Sequence, residues 1–238
     1  MYFSLITPAD GRERSALHQR LDGPYADHQW LWRWFPAQAG APRDFLFRRH
    51  DAEGVPGFYV VSRRPPAEHC GDWQARTRDY APQVMVGERL QFELRANPTV
   101  RHGRDGKSKR HDVVMEAKRK LLTARGLKRW AEWTDGTGAN DEPSDSRPAL
   151  YDIVQQSCSA WLARKSETIG FAIDADSLVV EAYEQHDERA DRKLQFTTVD
   201  FSGELTVTDP LALVAALGTG IGHAKAFGCG LLLIRRVS

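Results

Sequence analysis

The chain of 238 residues has few cysteines and no long apolar run, and each of these features excludes some classes of protein. Its cysteines, Cys70, Cys158 and Cys229, are far apart and form no C-x-x-C pair, which argues against a disulfide framework, a zinc site or a redox motif. No stretch approaches the roughly 18 consecutive apolar residues of a membrane-spanning helix. The first residues also lack a basic region followed by an apolar run, so we expect a cytoplasmic protein without a membrane segment.

The composition is that of a folded protein. Hydrophobic residues make up 41% of the chain and charged residues 27%, which is far from the composition of disordered chains. Since a typical domain has roughly 150 residues, the length predicts one large domain or two small ones.

The net charge of +1 argues against a nucleic-acid-binding protein, because such domains are usually basic overall. The distribution of charge reverses that argument. Residues 95–129, the basic block, hold twelve Lys or Arg against three acidic residues. Such a block is either a solvated surface or a site for a polyanion. The acidic, glycine-containing segment 131–148 that follows is predicted to be a mobile loop.

The first part of the chain predicts a β-α-β-β arrangement. Residues 2–6 alternate as in a strand, and 15–21 could form a helical turn. Asp22 as N-cap and Pro24 at the first position predict a helix over 24–35. Residues 43–49 and 57–62 indicate two strands around a turn. This order is half of a ferredoxin-like unit.

The remainder predicts a second unit of the same kind with helical material inserted. The pattern indicates these elements: a strand at 90–95, helices at 113–124 and 151–162, a strand within 168–183, a hairpin of 194–199 and 204–208 around Phe201-Ser202-Gly203, a helix from Asp209-Pro210 to Leu217, and a strand at 231–235. The predicted class is therefore α+β, with two β-α-β-β-α-β units in tandem.

The segment 220–230, here called the glycine loop, is the densest motif. Its glycines, Gly220, Gly222, Gly228 and Gly230, could leave backbone N–H groups open to phosphates, with Lys225 adding a charge. A dinucleotide fingerprint is disfavoured by the order helix, loop, strand. The alternative is a tight corner with Ile221, Phe227 and Cys229 in the core.

A second motif places Tyr25 and His28 three residues apart, on one face of the predicted helix. An isolated histidine on a helix is more often a surface or packing residue than a catalyst. The neighbouring aromatics are expected in the core or an interface rather than as platforms for bases: Trp30, Trp32, Trp34 and Phe35.

Three motifs carry a family resemblance: H-Q-W-L-W-R-W-F-P at 28–36 followed by R-D-F-L-F at 43–47, L-Q-F-E-L-R-A-N-P at 90–98, and the glycine loop with its following leucines. In this order they resemble the CasE family, the CRISPR RNA-processing endoribonucleases of the Cascade complex. The resemblance implies two ferredoxin-like domains, RRM-like in fold, and metal-independent cleavage at the base of a repeat hairpin. It implies no cofactor and no metal.

The resemblance also implies the catalytic residues. The family's catalytic histidine matches His28, and a tyrosine that some members carry matches Tyr25. His18 is rejected because H-Q-R lacks the tryptophan of the family motif. Because RNA supplies its 2′-hydroxyl as nucleophile, the protein needs only groups that move protons and stabilise charge. The products would be a 2′,3′-cyclic phosphate and a 5′-hydroxyl.

By similarity the basic block and the glycine loop engage the RNA hairpin. The residues expected to bind RNA are Arg95, Arg101, Lys107, Lys109, Arg110, Lys118, Arg119, Lys120 and Lys225. The expected domains are 1–87, with the catalytic histidine, and 88–238, with the basic block and the glycine loop. The acidic loop and the helix near 151–165 resemble insertions. The expected partners are precursor and mature CRISPR RNA and other Cascade subunits.

Two rival hypotheses stand beside the endoribonuclease. One is a non-catalytic RNA-binding subunit with the same fold, which would bind RNA without cutting it. The other is a nucleotide-dependent enzyme that uses the glycine loop, which would bind ATP or NAD. The pair Tyr25 and His28 favours the endoribonuclease, because a scaffold has no need of it.

Overall fold

The structure is a computed structural model that describes residues 1–18, 23–36, 40–52, 54–104, 107–133, 146–188 and 194–237. The expected N-cap Asp22 and residues 134–145 of the expected acidic loop lie outside the described residues, as does the side chain of Lys107. No helix in these ranges is long and apolar enough to cross a membrane.

The first sheet is formed by the N-terminal part of the chain. Its strands are β1 (Tyr2–Pro8), β2 (Phe45–Ala52), β3 (Val55–Ser62), β4 (His69–Cys70) and β5 (Trp73–Asp79). Helices α1 (Glu13–His18) and α2 (Gly23–Leu31) and a 3₁₀ turn (Trp32–Trp34) lie between β1 and β2. The antiparallel order β2-β3-β1-β5-β4 is ferredoxin-like, with β5 as the fourth strand of the unit. Residues 63–72, where the second helix of such a unit would lie, contain none.

The second sheet contains a complete ferredoxin-like unit. The C-terminal strands are β6 (Arg89–Ala96), β7 (Thr99–Arg104), β8 (Lys107–Asp112), β9 (Phe171–Ile173), β10 (Val179–Glu188), β11 (Leu194–Val207) and β12 (Leu232–Arg236). The helices are α3 (Val113–Ala124), α4 (Leu150–Ile169) and α5 (Pro210–Thr219), and short 3₁₀ turns cover Trp130–Glu132 and Lys225–Phe227. The sheet runs β10-β11-β6-β12, with β9 beside β11.

The topology corrects one expected insertion. Helix α4 follows β6 and precedes β10, so it is the first crossover helix of the second unit. The inserted material is the separate hairpin β7–β8 with α3. Residues 151–165 therefore belong to the ferredoxin-like unit itself and are not an insertion into it.

A second correction concerns the hairpin expected around Gly203. Strand β11 runs without a turn through this position and pairs with β6 along residues 199–206. A Cβ atom at Gly203 would lie 2.9 Å from the backbone oxygen of Ser177, so glycine here permits a close approach of chains. The actual hairpin partner of β11 is β10.

Local capping explains why two helices begin where the sequence predicts. The Asp112 carboxylate accepts a hydrogen bond from the Met115 N–H at the start of α3. Asp209 accepts from the N–H groups of Leu211 and Ala212 at the start of α5. Pro210 occupies the first position of that helix, where its missing N–H has no partner to lose.

Each sheet has its own apolar core, and a third cluster joins the two. Trp34 and Trp73 are fully buried under the first sheet, and Phe201 and Leu205 are buried under the second. The joining cluster contains Leu46, Val61 and Leu231. Burial confirms the expected core positions of Trp30, Trp34 and Phe35. Trp32 is half-buried and packs against the first core.

Candidate active site

Helix α2 carries both residues of the Tyr25–His28 motif. They lie one turn apart, as the spacing predicts, with His28 half-buried and Tyr25 44% exposed. The Tyr25 hydroxyl accepts a hydrogen bond of 2.9 Å from the Gln29 side chain. Tyr25 is therefore open to solvent, whereas His28 faces the protein.

The imidazole of His28 is held between two aromatic rings. The Trp32 indole N–H donates to His28 Nε2 over a long 3.3 Å. The Phe227 ring lies edge-on at 6.1 Å between centroids and stacks at 5.1 Å on Phe196. Phe196 in turn stacks on His186 at 4.7 Å. A column of four rings thus connects α2 with the β10–β11 hairpin of the second sheet.

These contacts fix the protonation pattern of the neutral imidazole. Because Nε2 accepts from Trp32, the ring proton lies on Nδ1. Nδ1 is buried and has no hydrogen-bond partner within the described residues. Access from outside is therefore through Nε2, whose present bond is long enough to be exchanged for a better one.

Two cations lie close enough to act on this site. Burial lowers the pKa of His28 below its usual 6.5, and the nearby Arg43 guanidinium lowers it further. The pKa of Lys225 is lowered by burial and then by the same arginine, so Arg43 lies near both His28 and Lys225. Arg43 Nη1 is buried without a hydrogen-bond partner in the described part of the chain, and Lys225 Nζ donates to the Thr219 oxygen at 2.7 Å. The arrangement is a mostly neutral imidazole beside two positive charges.

The glycine loop delivers Lys225 and Phe227 to this site. Its ends are joined by a 2.8 Å hydrogen bond from Ile221 N–H to the Gly230 oxygen, and Gly230 N–H donates to the Arg95 oxygen. A Cβ at Gly230 would lie 2.6 Å from the Ile221 oxygen, at a left-handed φ of +89°. Since these N–H groups are already bonded within the chain, the loop contacts His28 through a side chain.

The basic block is divided among three places. Arg95 lies in the seam between the sheets, where it makes a bidentate pair with Asp200 at 2.7 and 2.8 Å. The exposed Arg101, Lys109 and Arg110 lie on the β7–β8 hairpin. The others lie on α3: Lys118 over the Trp130 ring, Arg119 paired with Glu116, and Lys120 exposed. The exposed cations of the hairpin and of α3 are therefore open to a polyanion.

Sequence reasoning missed Arg43, Trp32 and Phe227 as neighbours of His28. Arg43 and Trp32 belong to the motifs H-Q-W-L-W and R-D-F-L-F, and Phe227 belongs to the glycine loop. The sequence motifs thus pointed to the segments that contain these residues, but not to the contacts that their side chains make. Among the residues that the structure describes, no group of three or more His, Cys, Asp or Glu side chains could hold a metal ion.

The protein consists of two ferredoxin-like units in tandem, and Phe227 of the glycine loop in the second unit packs against His28 of the first. These two features define its class. The chain belongs to the CRISPR associated protein family, whose family model matches residues 1–236.

Two curated relatives span nearly the whole chain. The CRISPR system Cascade subunit CasE of Escherichia coli is 29% identical and covers 87% of this chain and 89% of its own length. The CRISPR-associated endoribonuclease Cse3 of Thermus thermophilus is 27% identical, with coverages of 92% and 93%. A solved structure of the CRISPR endoribonuclease Cse3 bound to 19 nt RNA has the same fold, at a TM-score of 0.66, 24% identity and 98% coverage of both chains.

Proposed function

We propose that this protein is a metal-independent endoribonuclease that cuts CRISPR precursor RNA at the base of the repeat hairpin. The observation that carries the proposal is the juxtaposition of His28 with Arg43 and Lys225. The Thermus relative is named an endoribonuclease, which supports the same activity here. The E. coli relative is named a Cascade subunit, which supports a place in that complex.

The reaction needs only groups that move protons and stabilise charge. The 2′-oxygen next to the scissile phosphate forms a bond to phosphorus and gives up its proton to a base. The bond from phosphorus to the 5′-oxygen breaks, and that oxygen takes up a proton. The products are a 2′,3′-cyclic phosphate and a 5′-hydroxyl. A positioned acid or base of this kind contributes roughly 10²- to 10⁴-fold in rate.

His28 is the residue that handles one of these protons, and it does so through Nε2. Its other nitrogen is buried, whereas Nε2 is bonded only through the long contact with Trp32. RNA replaces the indole N–H as the partner of Nε2. The lowered pKa keeps the imidazole neutral near pH 7, which is the form that accepts a proton.

The other groups have roles that follow from their charge and exposure. Arg43 and Lys225 stabilise the added negative charge on the phosphorane oxygens. Tyr25, which is exposed one turn before the histidine, positions the 2′-hydroxyl or assists the leaving 5′-oxygen. The exposed cations of the hairpin and α3 hold phosphates of the RNA stem, since A-form RNA hides its bases in a narrow major groove.

The proposal also covers the binding partners of the protein and its location in the cell. The Cse3 structure with RNA supports binding of the repeat hairpin, and the processed RNA is retained in a complex with other Cascade subunits. An enzyme that acts on new transcripts works where transcripts are made, so we place it in the cytoplasm. The domains 1–87 and 88–238 belong to the proposal as well.

The test is cleavage of the genomic repeat RNA in EDTA by the wild type, His28→Ala and His18→Ala, with both new ends mapped. A parallel substrate carries a 2′-deoxy nucleotide at the cut. We expect His28→Ala to lose about 10²- to 10⁴-fold in single-turnover rate. We expect His18→Ala to keep the wild-type rate, and the 2′-deoxy substrate to remain uncut by all three.

Three results would count against parts of the proposal. Tight binding without a cut by any variant would support the non-catalytic RNA-binding subunit. Equal cutting by wild type and His28→Ala would mean that another residue moves the proton. Cleavage that stops in EDTA and returns with magnesium would overturn the metal-independent reaction.

A further inference from the structure

The β7–β8 hairpin places two arginines directly opposite each other. Arg101 pairs in register with Arg110, and both side chains are exposed. Like charges in opposed positions of an antiparallel pair destabilise the hairpin. Within the described part of the chain, neither arginine has a carboxylate partner. A bound anion would remove the repulsion.

Two further elements meet this hairpin at the same place. The Trp161 indole N–H on α4 donates to the oxygen of Thr99, the first residue of β7, at 3.2 Å. The glycine loop contacts the same tryptophan, since a Cβ at Gly222 would lie 3.3 Å from its ring. Lys165 lies one turn after Trp161 on the same helix face, and His223 follows Gly222. The β7–β8 hairpin, α4 and the glycine loop therefore meet around Trp161.

The convergence is visible in the electrostatics of His223. Partial desolvation lowers the pKa of its imidazole most, followed by four cations: Arg110, Lys165, Lys225 and Arg101. The two histidines of the hairpin lie on its other face, because His102 is opposite Lys109 and His111 is opposite Val100. His102 there faces Glu116. Only positive charges thus face His223 from the described hairpin, helix and loop.

We propose that four side chains from these elements form a second phosphate-binding site, named the anion site: Arg101, Arg110, Lys165 and His223. It takes a phosphate of the RNA at a distance from the bond cut beside His28. The identity of the ligand as RNA rests on the proposed function. The site differs from the glycine-loop backbone because its donors are side chains.

Occupancy of the anion site changes the proton balance. In the free protein partial burial, and after it the surrounding cations, lower the pKa of the His223 imidazole and so favour its neutral form. A seated phosphate offsets those charges and favours the imidazolium, so binding takes up a proton. Affinity therefore increases as the pH falls.

The experiment measures binding of the repeat hairpin RNA with a 2′-deoxy nucleotide at the cut, so that cleavage does not interfere. Fluorescence anisotropy gives the Kd of wild type, Lys165→Gln, His223→Gln and Arg164→Gln over a series of KCl concentrations, on both sides of neutral pH. Arg164 is the matched control, as an exposed cation on the same helix about 100° round from Lys165. Thermal unfolding checks that all four proteins are equally folded.

We expect Lys165→Gln to lower the slope of log K against log salt by about 1. We expect His223→Gln to lose the tighter binding at acidic pH, and Arg164→Gln to match the wild type. Unchanged slope and unchanged pH dependence in the two anion-site variants would overturn the site, as would an equal loss in Arg164→Gln.

The result is independent of catalysis. Single-turnover cleavage of the all-RNA substrate is measured for the wild type and for Arg164→Gln, which should cut at the same rate. If the salt and pH dependence of binding are as expected but neither of these two proteins cuts, the anion site stands and the proposed endoribonuclease fails. If both cut but binding is indifferent to Lys165→Gln and His223→Gln, the anion site fails and the endoribonuclease stands.

Discussion

At the scale of the residue, the environment of His28 predicts its titration. Burial and the Arg43 charge both lower its pKa below 6.5. We expect the ¹H–¹⁵N NMR titration of His28 to have its midpoint below that value. Arg43→Gln should raise the midpoint toward 6.5, because one of the two causes is removed.

The matched control is Arg33→Gln, which removes an exposed arginine from the 3₁₀ turn after α2. It should leave the midpoint unchanged. A midpoint above 6.5 in the wild type, or equal shifts in the two variants, would show that the local field of Arg43 does not act on the imidazole. The same spectra report the tautomer, which we expect to carry its proton on Nδ1.

The positions of side chains could be predicted where the neighbouring sequence determines them. The helical spacing brought Tyr25 and His28 to one face, and the aromatic pattern placed Trp34 and Phe35 in the core. Arg43 could not be predicted as a neighbour of the histidine, because only the tertiary fold brings the segment before β2 close to α2. The roles of these residues in cleavage and binding stay predictions until they are measured.

At the scale of the element, the glycine loop depends on close packing of its own ends. Gly230→Ala would place a methyl group 2.6 Å from the Ile221 oxygen, at φ +89°. Left-handed backbone costs roughly 1–2 kcal/mol for a residue with a Cβ, and the clash adds to it. We expect a loss of about 3 kcal/mol in the free energy of unfolding, measured in urea, with a lower cleavage rate.

Gly54→Ala is the control that separates the cost of left-handed backbone from the cost of the steric clash. Gly54 has a similar φ of +79°, but nothing lies within 4 Å of the position of its Cβ. It should cost about 1 kcal/mol and leave cleavage unchanged. An equal loss in both variants would mean that backbone strain alone accounts for the effect and that the loop has room for a side chain.

Elements were predictable where the chain marks their ends by local chemistry. The starts of α3 and α5 follow from Asp112 and Asp209, which cap them. Strand β11 was broken in the prediction because Gly203 signals a turn, whereas its close neighbour comes from a distant segment. The β7–β8 hairpin was missed because its strands are almost entirely charged and polar, and so lack an apolar alternation.

At the scale of the whole molecule, a charged network joins the two sheets. Asp200 on β11 binds Arg95 on β6 and lies 3.9 Å from Arg48 on β2. Arg48 also lies 3.4 Å from Glu93. Asp200→Asn leaves two arginines in the seam without their shared charge. Since the group is partly exposed, we expect a loss of about 2 kcal/mol, below the roughly 3–5 kcal/mol of fully buried pairs.

Glu204→Gln is the control, because Arg89 and Glu204 also join β6 to β11 but the arginine of this pair is exposed. It should cost less than about 1 kcal/mol in urea unfolding. If Asp200→Asn costs no more than this control, the network contributes nothing to the contact between the sheets.

The ferredoxin-like class could be anticipated from the alternation of predicted elements and from the family motifs, and the structure confirms it. The missing second helix of the first unit was not anticipated, since a loop at 63–72 has no distinctive pattern. The boundary near residue 87 stays a prediction. That position lies between β5 and β6.

The ring column has a consequence for the time at which the enzyme becomes active. Phe227 is synthesised about 200 residues after His28, and its ring packs against the imidazole of that histidine. Ribosomes add about 5–20 residues per second, so roughly 10 to 40 seconds separate the two. Throughout that interval the nascent chain carries its histidine without the Phe227 ring and without Lys225. On the roles proposed for His28 and Lys225, the active site is therefore assembled only after most of the chain has been synthesised.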